Sequence, residues 1–377
     1  MTDNARRDHA VVIVVDGRSI PGWVDYRIDI SMIEPADAFS MSLPFDAAAW
    51  DLCRTDRRIR VAIDSVVVLD GFIDSRRFRA SENSLQIAGR DKAGRLVQES
   101  APSVSFEGLT IQPLIARLAE PWFTTVTMSN ARNRRVMRGR GKKVKSSDRV
   151  YVDSKVGHRI EPGQMRWSAI QDLCDQAGYM CWSSGDGREL VVGQPDYNQE
   201  IQYRFHHVAP GSDRSSNVKD LDILESTADR YSKITVLGSG AGTPVGYGTS
   251  AASRVGEAKN NPDTPNGDGA DFSAPKRLVL VDDAVKSIEA ARIEAQREMD
   301  RRAMSANPIQ VTASGHGQVV AGQAPTLFVP DTLAELVDEE TETRGTYLVV
   351  ACSYSSTRDG GEVTTLDLMP KGTRLSL

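Results

Sequence analysis

The stretch that decides the fold of the N-terminal part is "RRIRVAIDSVVVLDGFIDS", residues 57–75. Apolar residues alternate with polar or small ones through its first half, at Ile59, Val61 and Ile63. This is the period of a strand with one buried face. The pair Asp70-Gly71 has the composition of a tight hairpin turn. Short β-strands joined by turns are therefore predicted here.

The same pattern extends over about the first 95 residues. "NSLQIAGRD" at 83–91 and "FSMSLPF" at 39–45 alternate in the same way, and "HAVVIVVDGRSI" at 9–20 contains another Asp-Gly pair. About six closely spaced short strands are typical of a small barrel or sandwich. An all-β N-terminal domain is therefore expected.

Helical spacing begins after this domain. In "LTIQPLIARLAE" apolar residues recur at positions 111, 114, 115 and 118, behind Thr110 as the candidate N-cap. A second amphipathic helix begins near Trp167 and ends at Gly178, and "YMCW" and "ELVV" then form a hairpin. Trp167 and Trp182 are interpreted as core residues. This part of the chain is predicted to mix helices and strands.

Two segments of different character follow. Residues 238–276 are rich in Gly, Ser, Pro, Asn and Asp, which predicts a long mobile loop. The longest helix is predicted after it, capped by Asp282 or Asp283 and ended by Asn307-Pro308.

The C-terminal tail returns to strands and looks like a degenerate second copy of the N-terminal domain. In both, an apolar strand ("RVAID" and "TLFVP") precedes a glycine, Gly71 or Gly345, and then a long strand, a polar turn and a closing strand follow. An internal repeat is therefore predicted.

Composition excludes several classes of protein. The net charge is -5, 40% of the residues are hydrophobic, and no apolar run approaches the roughly 20 residues that cross a bilayer. The four cysteines are scattered without metal-ligand or disulfide spacing, so we expect buried thiols. No secretory leader is recognised, which favours a cytoplasm as the site of synthesis and residence.

No catalytic motif is assembled in the sequence. "GRGKKV" lacks the spacing of a phosphate-binding loop, and "GSGAG" at 238–242 lies in the predicted loop and not on a strand-to-helix elbow. His206 and His207 are adjacent, so on a strand they would face opposite sides and could not share a metal. We therefore expect no enzyme activity, cofactor, metal site or small-molecule substrate.

Several segments together resemble the baseplate hub proteins of Mu-like contractile phage tails. These are "VVDGRSIPGWVDYRIDISMIEPADAFSMSLP", "LDGFIDSRRF", "IAGRDKAGRLVQESAP", "EPGQMRWSAIQDLCDQAGYMCWSSGDGRELVVGQP" and "AAR...AQREMDRRAMSANPIQV". They occur in order over nearly the whole chain. The resemblance extends to the T-even phage central hub protein and the late control protein D family.

The resemblance implies an α+β, mainly β fold with two related small β-barrel domains, in a ring-forming trimer with pseudo-sixfold symmetry. Its implied divisions are a first barrel at 1–95, an α+β domain at 96–217 with a basic loop at 130–150, and a second barrel built from 218–240 and 308–377. Residues 241–307 would hold the mobile loop and the long helix, which would pack with the second domain.

The function implied is that of a structural hub in the virion tail baseplate. The trimer would join the hexameric tail tube to the trimeric membrane-piercing spike, and would be needed for tail assembly and DNA delivery. Implied partners are the chain itself, the spike protein, the tube or tube-initiator protein and other baseplate proteins. Two alternatives stay open: a hub that degrades cell wall, and the hub of a related contractile secretion system. Such secretion hubs are usually fused to their spike, and this sequence ends without spike repeats.

The basic stretch "RNRRVMRGRGKKVKSSDR", residues 132–149, departs from the family pattern. It is interpreted as an interaction loop that is solvated or contacts a subunit, that contacts an acidic tail protein, or that makes non-specific contact with DNA passing through the ring. It lacks aromatic residues for base stacking, so only phosphate contacts would favour DNA. Its candidate residues are Arg132, Arg134, Arg135, Arg138, Arg140, Lys142, Lys143 and Lys145.

Overall fold

The computed structural model of the chain is mainly β, with several sheets. It describes residues 9–20, 22–102, 105–106, 108–137, 149–151, 158–239, 253–259, 275–282, 285, 287–306, 308–318, 326–357, 360–373 and 375.

The N-terminal unit consists of strands whose alternating residues enter one core. Ile59, Val61 and Ile63 are fully buried on one face, as the alternation predicts. Asp46 caps the unit's helix, because its side chain accepts a hydrogen bond from the Ala49 N–H at 2.9 Å. The elements are β1 (Val11–Val15), β2 (Arg18–Ile20), β3 (Asp25–Ser31), β4 (Ala38–Pro44), α1 (Ala47–Leu52), β5 (Arg58–Ile63), β6 (Val66–Arg79) and β7 (Ser84–Asp91).

The middle of the chain forms an α+β layer with its own core. The helix after Thr110 and the helix that ends at Gly178 both form as predicted, and Gly178 has a φ of 69°. Trp167 and Trp182 are both buried. The elements are α2 (Ala93–Gln98), β8 (Ser105–Phe106), α3 (Ile111–Ala119), β9 (Thr125–Ser129), β10 (Arg135–Met137), β11 (Arg149–Tyr151), β12 (His158–Arg159), α4 (Arg166–Ala177), β13 (Met180–Ser183) and β14 (Glu189–Gly193).

The last part of the chain contains a second set of long strands and the longest helix of the described residues. Its elements are β15 (Ile201–His207), β16 (Asp220–Ile223), β17 (Lys233–Ser239), β18 (Ser253–Lys259), β19 (Arg277–Asp282), α5 (Ile288–Ala306), β20 (Ile309–Ser314), β21 (Gly317–Gln318), β22 (Thr326–Leu327), β23 (Thr332–Asp338), β24 (Arg344–Thr357) and β25 (Gly361–Pro370).

The predicted repeat is visible in the strand order. The first unit pairs in the order β3-β4-β7-β6-β5-β1, and the second pairs in the order β16-β20-β25-β24-β23-β15. When these six strands of each unit are numbered from first to sixth in chain order, both units have the same spatial order, 2-3-6-5-4-1. One pairing differs in direction, since β1 is antiparallel to β5 whereas β15 is parallel to β23. The chain thus contains two copies of one six-stranded unit.

The two units are joined edge to edge into one sheet with a shared core. Strand β24 of the second unit pairs antiparallel with β3 of the first, from Ala351 opposite Ser31 to Ser356 opposite Tyr26. The core cluster runs continuously from Ile28 in β3 to Tyr354 in β24. The units therefore form one continuous β body within a single chain.

Closed barrels were expected, and this is corrected by the strand pairing. Among the described residues the 13-stranded sheet is open, with β16 and β2 at the two ends of its main path. The turn predicted at Asp70-Gly71 is also wrong, because both residues lie inside the 14-residue strand β6. The chain turns instead at Asp64-Ser65, which have φ angles of 47° and 69°. Alternation fixes which face of a strand is buried but not where a long strand bends or whether a sheet closes.

The expected loop at 238–276 is wrong over residues 253–259, which form β18. Strand β18 pairs antiparallel with β17, and β19 pairs parallel with β17 on the other side. Helix α5 packs on this small sheet through Ala291, Ala295 and Met299. Consequently residues 233–239, predicted in the second barrel, belong to this separate sheet. The remainder of the expected loop, 240–252 and 260–274, lies outside the described residues.

Two further expectations differ from the structure. Asp282 is the last residue of β19 and is not the N-cap of the long helix. At the start of α5 the Ser287 hydroxyl accepts a hydrogen bond from the Ala290 N–H at 3.0 Å. Asp283, the other predicted cap, lies outside the described residues. Strand β15, placed by sequence in the α+β part, pairs with β23 in the large sheet. The domain division otherwise stays a prediction.

Candidate functional site

The described part of the basic stretch is anchored at its base. Arg135 opens β10, which pairs in parallel with β11 from Arg149 onward, so the chain leaves and returns at one two-stranded sheet. Arg132, Arg134 and Arg135 are described, and Arg132 and Arg135 are exposed. The other five candidates lie outside the described residues: Arg138, Arg140, Lys142, Lys143 and Lys145.

Arg134 is a packing residue of this base. Its guanidinium donates to the Ala177 carbonyl at 3.3 Å, at the C-terminal end of α4 where the helix dipole favours a cation, and stacks 5.2 Å from the Tyr179 ring centre. The Tyr179 hydroxyl in turn bonds both the N–H and the carbonyl of Arg132, at 3.1 and 3.2 Å. The two exposed arginines are thus presented from a fixed backbone.

A pocket of about 370 Å³ opens beside this base. Arginine side chains, two tyrosines and a glutamine give it a cationic and polar wall. The lining residues are Asn130, Arg132, Arg134, Gly178, Tyr179, Gln194, Pro195, Tyr197 and Gly372. Gln194 is held by the Leu375 backbone and Tyr197 bonds the Thr373 carbonyl, so the C-terminal segment forms one side. Most of its polar side chains are thus already hydrogen-bonded to neighbouring backbone groups.

The adjacent histidines are held apart by separate acids. His206 Nε2 lies 2.7 Å from Glu339 and His207 Nδ1 lies 2.7 Å from Asp338. Burial alone would raise the pKa of Asp338, but hydrogen bonds from Thr341 and His207 lower it to about 2. Within the described residues no group of three or more His, Cys, Asp or Glu side chains could hold a metal ion.

A buried carboxylate pair lies where β7 meets α2. Asp37 accepts from the Ser31 N–H at 2.9 Å, and Asp91 accepts from the Gly94 N–H at 3.3 Å. Burial raises the pKa of Asp91 to about 7, and burial together with the Asp91 charge raises the pKa of Asp37 well above its usual value. This pair stabilises the turn into the α+β layer best when it is protonated.

His316 is buried between the two β units. Its ring lies 2.5 Å from the Tyr26 hydroxyl and 2.9 Å from the Thr364 hydroxyl, and burial lowers its pKa to about 3. It therefore stays neutral at physiological pH and links β3 of one unit to β25 of the other. The four cysteines are free thiols, all buried, as expected. Burial raises the pKa of Cys352 and of Cys53, which makes these two poor nucleophiles.

None of the helices in the described ranges is long and apolar enough to pass through a bilayer.

The fold is shared with several solved tail proteins. One similar solved structure is a tail protein from Neisseria meningitidis MC58, with 23% identity over 97% of this chain and 98% of that chain and a TM-score of 0.74. Another is the 43 kDa tail protein of prophage MuSo2 from Shewanella oneidensis, with 19% identity, 97% and 99% coverage and a TM-score of 0.73. An E. coli protein described as a type VI secretion component, similar to T4 tail proteins gp27 and gp5, has 8% identity, 97% and 78% coverage and a TM-score of 0.50.

A family model matches the N-terminal unit of the chain. Residues 10–91 match the model of the Mu phage baseplate assembly protein GpP-like, N-terminal. No curated protein matches the chain significantly. The predicted resemblance to Mu-like baseplate proteins is confirmed over residues 10–91, and the chain shares its fold with the two tail proteins described above.

Proposed function

We propose that this chain is the homotrimeric central hub of the baseplate, and that it joins a hexameric tail tube to a trimeric spike. Hub assembly in the host cytoplasm would precede tail assembly and DNA delivery. The observation that carries the proposal is the repeated six-stranded unit. Three chains with two units each present six similar units in a ring, which can match a sixfold partner on one side and a threefold partner on the other.

The spike and tube are the partners that this symmetry requires. Solved complexes that contain a VgrG protein from Francisella share the fold, with 8% identity and a TM-score of 0.53 for one of them. The chain covers only 59% of that longer protein, so the spike partner of this chain stays a proposal. The cationic base at Arg132 and Arg135 would meet acidic neighbours on one face of the ring.

A secretion-system hub is the second candidate from the same class. The fold match to the type VI component has a TM-score of 0.50, against 0.74 and 0.73 for the two tail proteins. The GpP-like match over the N-terminal unit also favours a phage tail. Co-purification of the chain with phage head and tail proteins, against co-purification with a secretion baseplate, separates the two.

Mass measurement in solution tests the proposed assembly. We expect a trimer whose population rises when the spike protein of the same tail is added, because ring closure and spike binding both use the trimeric state. A chain that stays monomeric with the spike, and that is found off the axis in assembled tails, would refute the hub. A peptidoglycan zymogram and binding to random duplex DNA at low salt test the lytic and DNA-binding alternatives.

A further inference from the structure

The edge of β24 is divided between two partners. Its first half pairs with β23, from Arg344 to Val349, and its second half pairs with β3, from Ala351 to Ser356. The opposite edge pairs with β25 along most of its length. A bulge at Val350 separates the halves. The second half of β24 is thus the edge at which the second six-stranded unit pairs with the first.

The equivalent strand of the first unit, β6, has the same division, but within the described ranges its second half has no partner strand on this edge. Its first half pairs with β5, which ends with Arg58 opposite Phe72, and a bulge follows at Asp74. The backbone of Ile73 still bonds to Asp56 and Arg57. Beyond it, no strand of the described residues pairs with this edge along 74–79. An open strand edge presents unpaired N–H and C=O groups that another strand can pair with.

The matching edge on the second unit belongs to β16, and no strand in the described part of the chain pairs with its outer side. Strand β16 occupies in the second unit the position that β3 occupies in the first, and it ends the sheet path. The N–H groups of Leu224 and Ser226 donate hydrogen bonds to the carbonyls of Pro308 and Ala306, on the side of β16 that faces β20. Because hydrogen-bonding groups alternate along an antiparallel strand, residues 221, 223 and 225 direct theirs to the open side.

We propose that β16 of one subunit pairs antiparallel with the second half of β6 of the next subunit, with Phe78 opposite Ile223, and that this pairing closes the ring. The proposal rests on the proposed trimeric hub and names its interface. It repeats between chains the junction that β24 and β3 make within a chain.

The register follows from the observed pairs. When the bulges are aligned, Phe78 of β6 corresponds to Tyr354 of β24, and Tyr354 pairs with Ile28 of β3. Ile28 pairs with Phe39 of β4, and in the second unit Ile223 pairs with Ile309 of β20. Phe39 lies opposite Gly89, which pairs with Ile73, one residue before the bulge of β6. Ile309 lies opposite Leu368, which pairs with Val349, one residue before the bulge of β24. Ile223 is therefore the counterpart of Ile28.

The side chains brought together by this register are complementary. Arg79 falls opposite Asp222, and Arg76 falls opposite Glu225. Phe78 is 43% exposed and Leu224 is 52% exposed in the single chain, so the pairing would cover both. Arg76 is already held over the Trp50 ring, 3.9 Å from its centre, and Arg79 pairs with Glu82. A basic, partly apolar edge thus meets an acidic, partly apolar edge.

Disulfide trapping tests the register directly. Arg77 and Leu224 would form a non-hydrogen-bonded pair, in which Cα atoms lie about 4.5 Å apart, a distance that a disulfide can span. All four native cysteines are buried, so the background is low. The double variant Arg77→Cys/Leu224→Cys should give a covalent trimer on oxidation. A mixture of the two single variants should stop at covalent dimers, because each chain then has only one of the two cysteines.

The matched control is Arg77→Cys/Asp220→Cys, whose second cysteine is moved four residues, about 13 Å, along the strand. It should give no cross-link. A cross-link in this control, or between identical single variants, would overturn the proposed register. If the wild-type chain forms trimers, free or in assembled tails, and the first pair does not cross-link, the pairing is wrong and the hub proposal stands. If no trimer exists in either setting, the hub proposal fails as well.

A charge exchange gives a second, independent readout. Arg79→Glu and Asp222→Arg should each weaken trimer association about tenfold or more, and the combined variant should recover most of the loss. Asp213→Arg changes an equally exposed acid outside β16 and should leave association unchanged. Loss without recovery in the combined variant would contradict the pairing of these two residues.

Discussion

Replacement of the titratable carboxyl of Asp91, which is buried beside Asp37, should change how the free energy of unfolding depends on pH. Asp91 is 2% exposed, and burial raises its pKa to about 7 from an ordinary value of 3.8. The folded chain therefore binds more protons than the unfolded chain between these two pKa values. Its free energy of unfolding falls as the pH rises through this window, and the loss is complete above about pH 7.

The magnitude follows from the two pKa values. A difference of about 3 between them corresponds to about 4 kcal/mol, of which about 2 kcal/mol is lost between about pH 5 and pH 7 and nearly 3 kcal/mol by about pH 8. Asp91→Asn removes the titration but keeps an oxygen to accept the Gly94 N–H. The variant should therefore gain about 3 kcal/mol relative to wild type when the pH is raised from about 5 to about 8.

Urea unfolding followed by tryptophan fluorescence at the two pH values measures this difference. The matched control is Asp213→Asn, an exposed acid, whose stability relative to wild type should change by less than about 0.5 kcal/mol over the same range. A difference between Asp91→Asn and wild type that does not depend on pH would refute the assignment of a protonated buried carboxyl at this position.

Three further predictions concern packing and the basic stretch. Gly71→Ala should cost about 3 kcal/mol of unfolding free energy, because a Cβ there would lie 2.0 Å from the Arg90 carbonyl oxygen; Gly345→Ala should cost far less, as its Cβ would meet only the Tyr347 ring at 3.1 Å. Arg297→Met should cost about 2 kcal/mol in thermal or urea unfolding, because it leaves Asp175 on α4 without its ion-pair partner on α5. If the basic stretch is solvated, replacing four of its cations by serine should leave tail assembly and infectivity unchanged. Reduced infectivity would indicate that the stretch contacts a partner. The four positions are Arg138, Arg140, Lys142 and Lys143.

Local patterns predicted local structure well. The helical spacing at 111–118 and the stop at Gly178 gave α3 and α4, and the alternation at 58–63 gave β5. Each of these signals acts within a few residues, where periodicity and the positive φ of a glycine decide the conformation. The resemblance to Mu-like baseplate proteins likewise depended on such segments, and the family match confirmed it.

Long-range pairing was harder to predict. The repeat was recognised, but its glycines were matched wrongly, and "TLFVP" was equated with the strand before Gly71. In the structure β23 is the counterpart of β5, whereas only Thr326 and Leu327 of that segment form a strand. Gly71 is required by a close backbone approach, whereas Gly345 is not. Two glycines with different physical causes therefore looked alike in the sequence.

Strand β18 shows another limit of composition. "SRVGEAK" lies in a segment with the small and polar residues of a linker. A Cβ on Gly256 would lie 2.1 Å from the Ala291 backbone carbon, so α5 crosses this strand at a distance that only glycine permits. The small residue reflects tight packing here, and only the position of the distant helix reveals it.

We propose above that three copies of this chain form the ring between tail tube and spike. Cryo-electron microscopy of the assembled tail tests it most directly. We expect three copies around the tail axis, with six similar β units in one ring and β16 of each copy beside β6 of the next. Copies located away from the axis, or present in a number other than three, would contradict it.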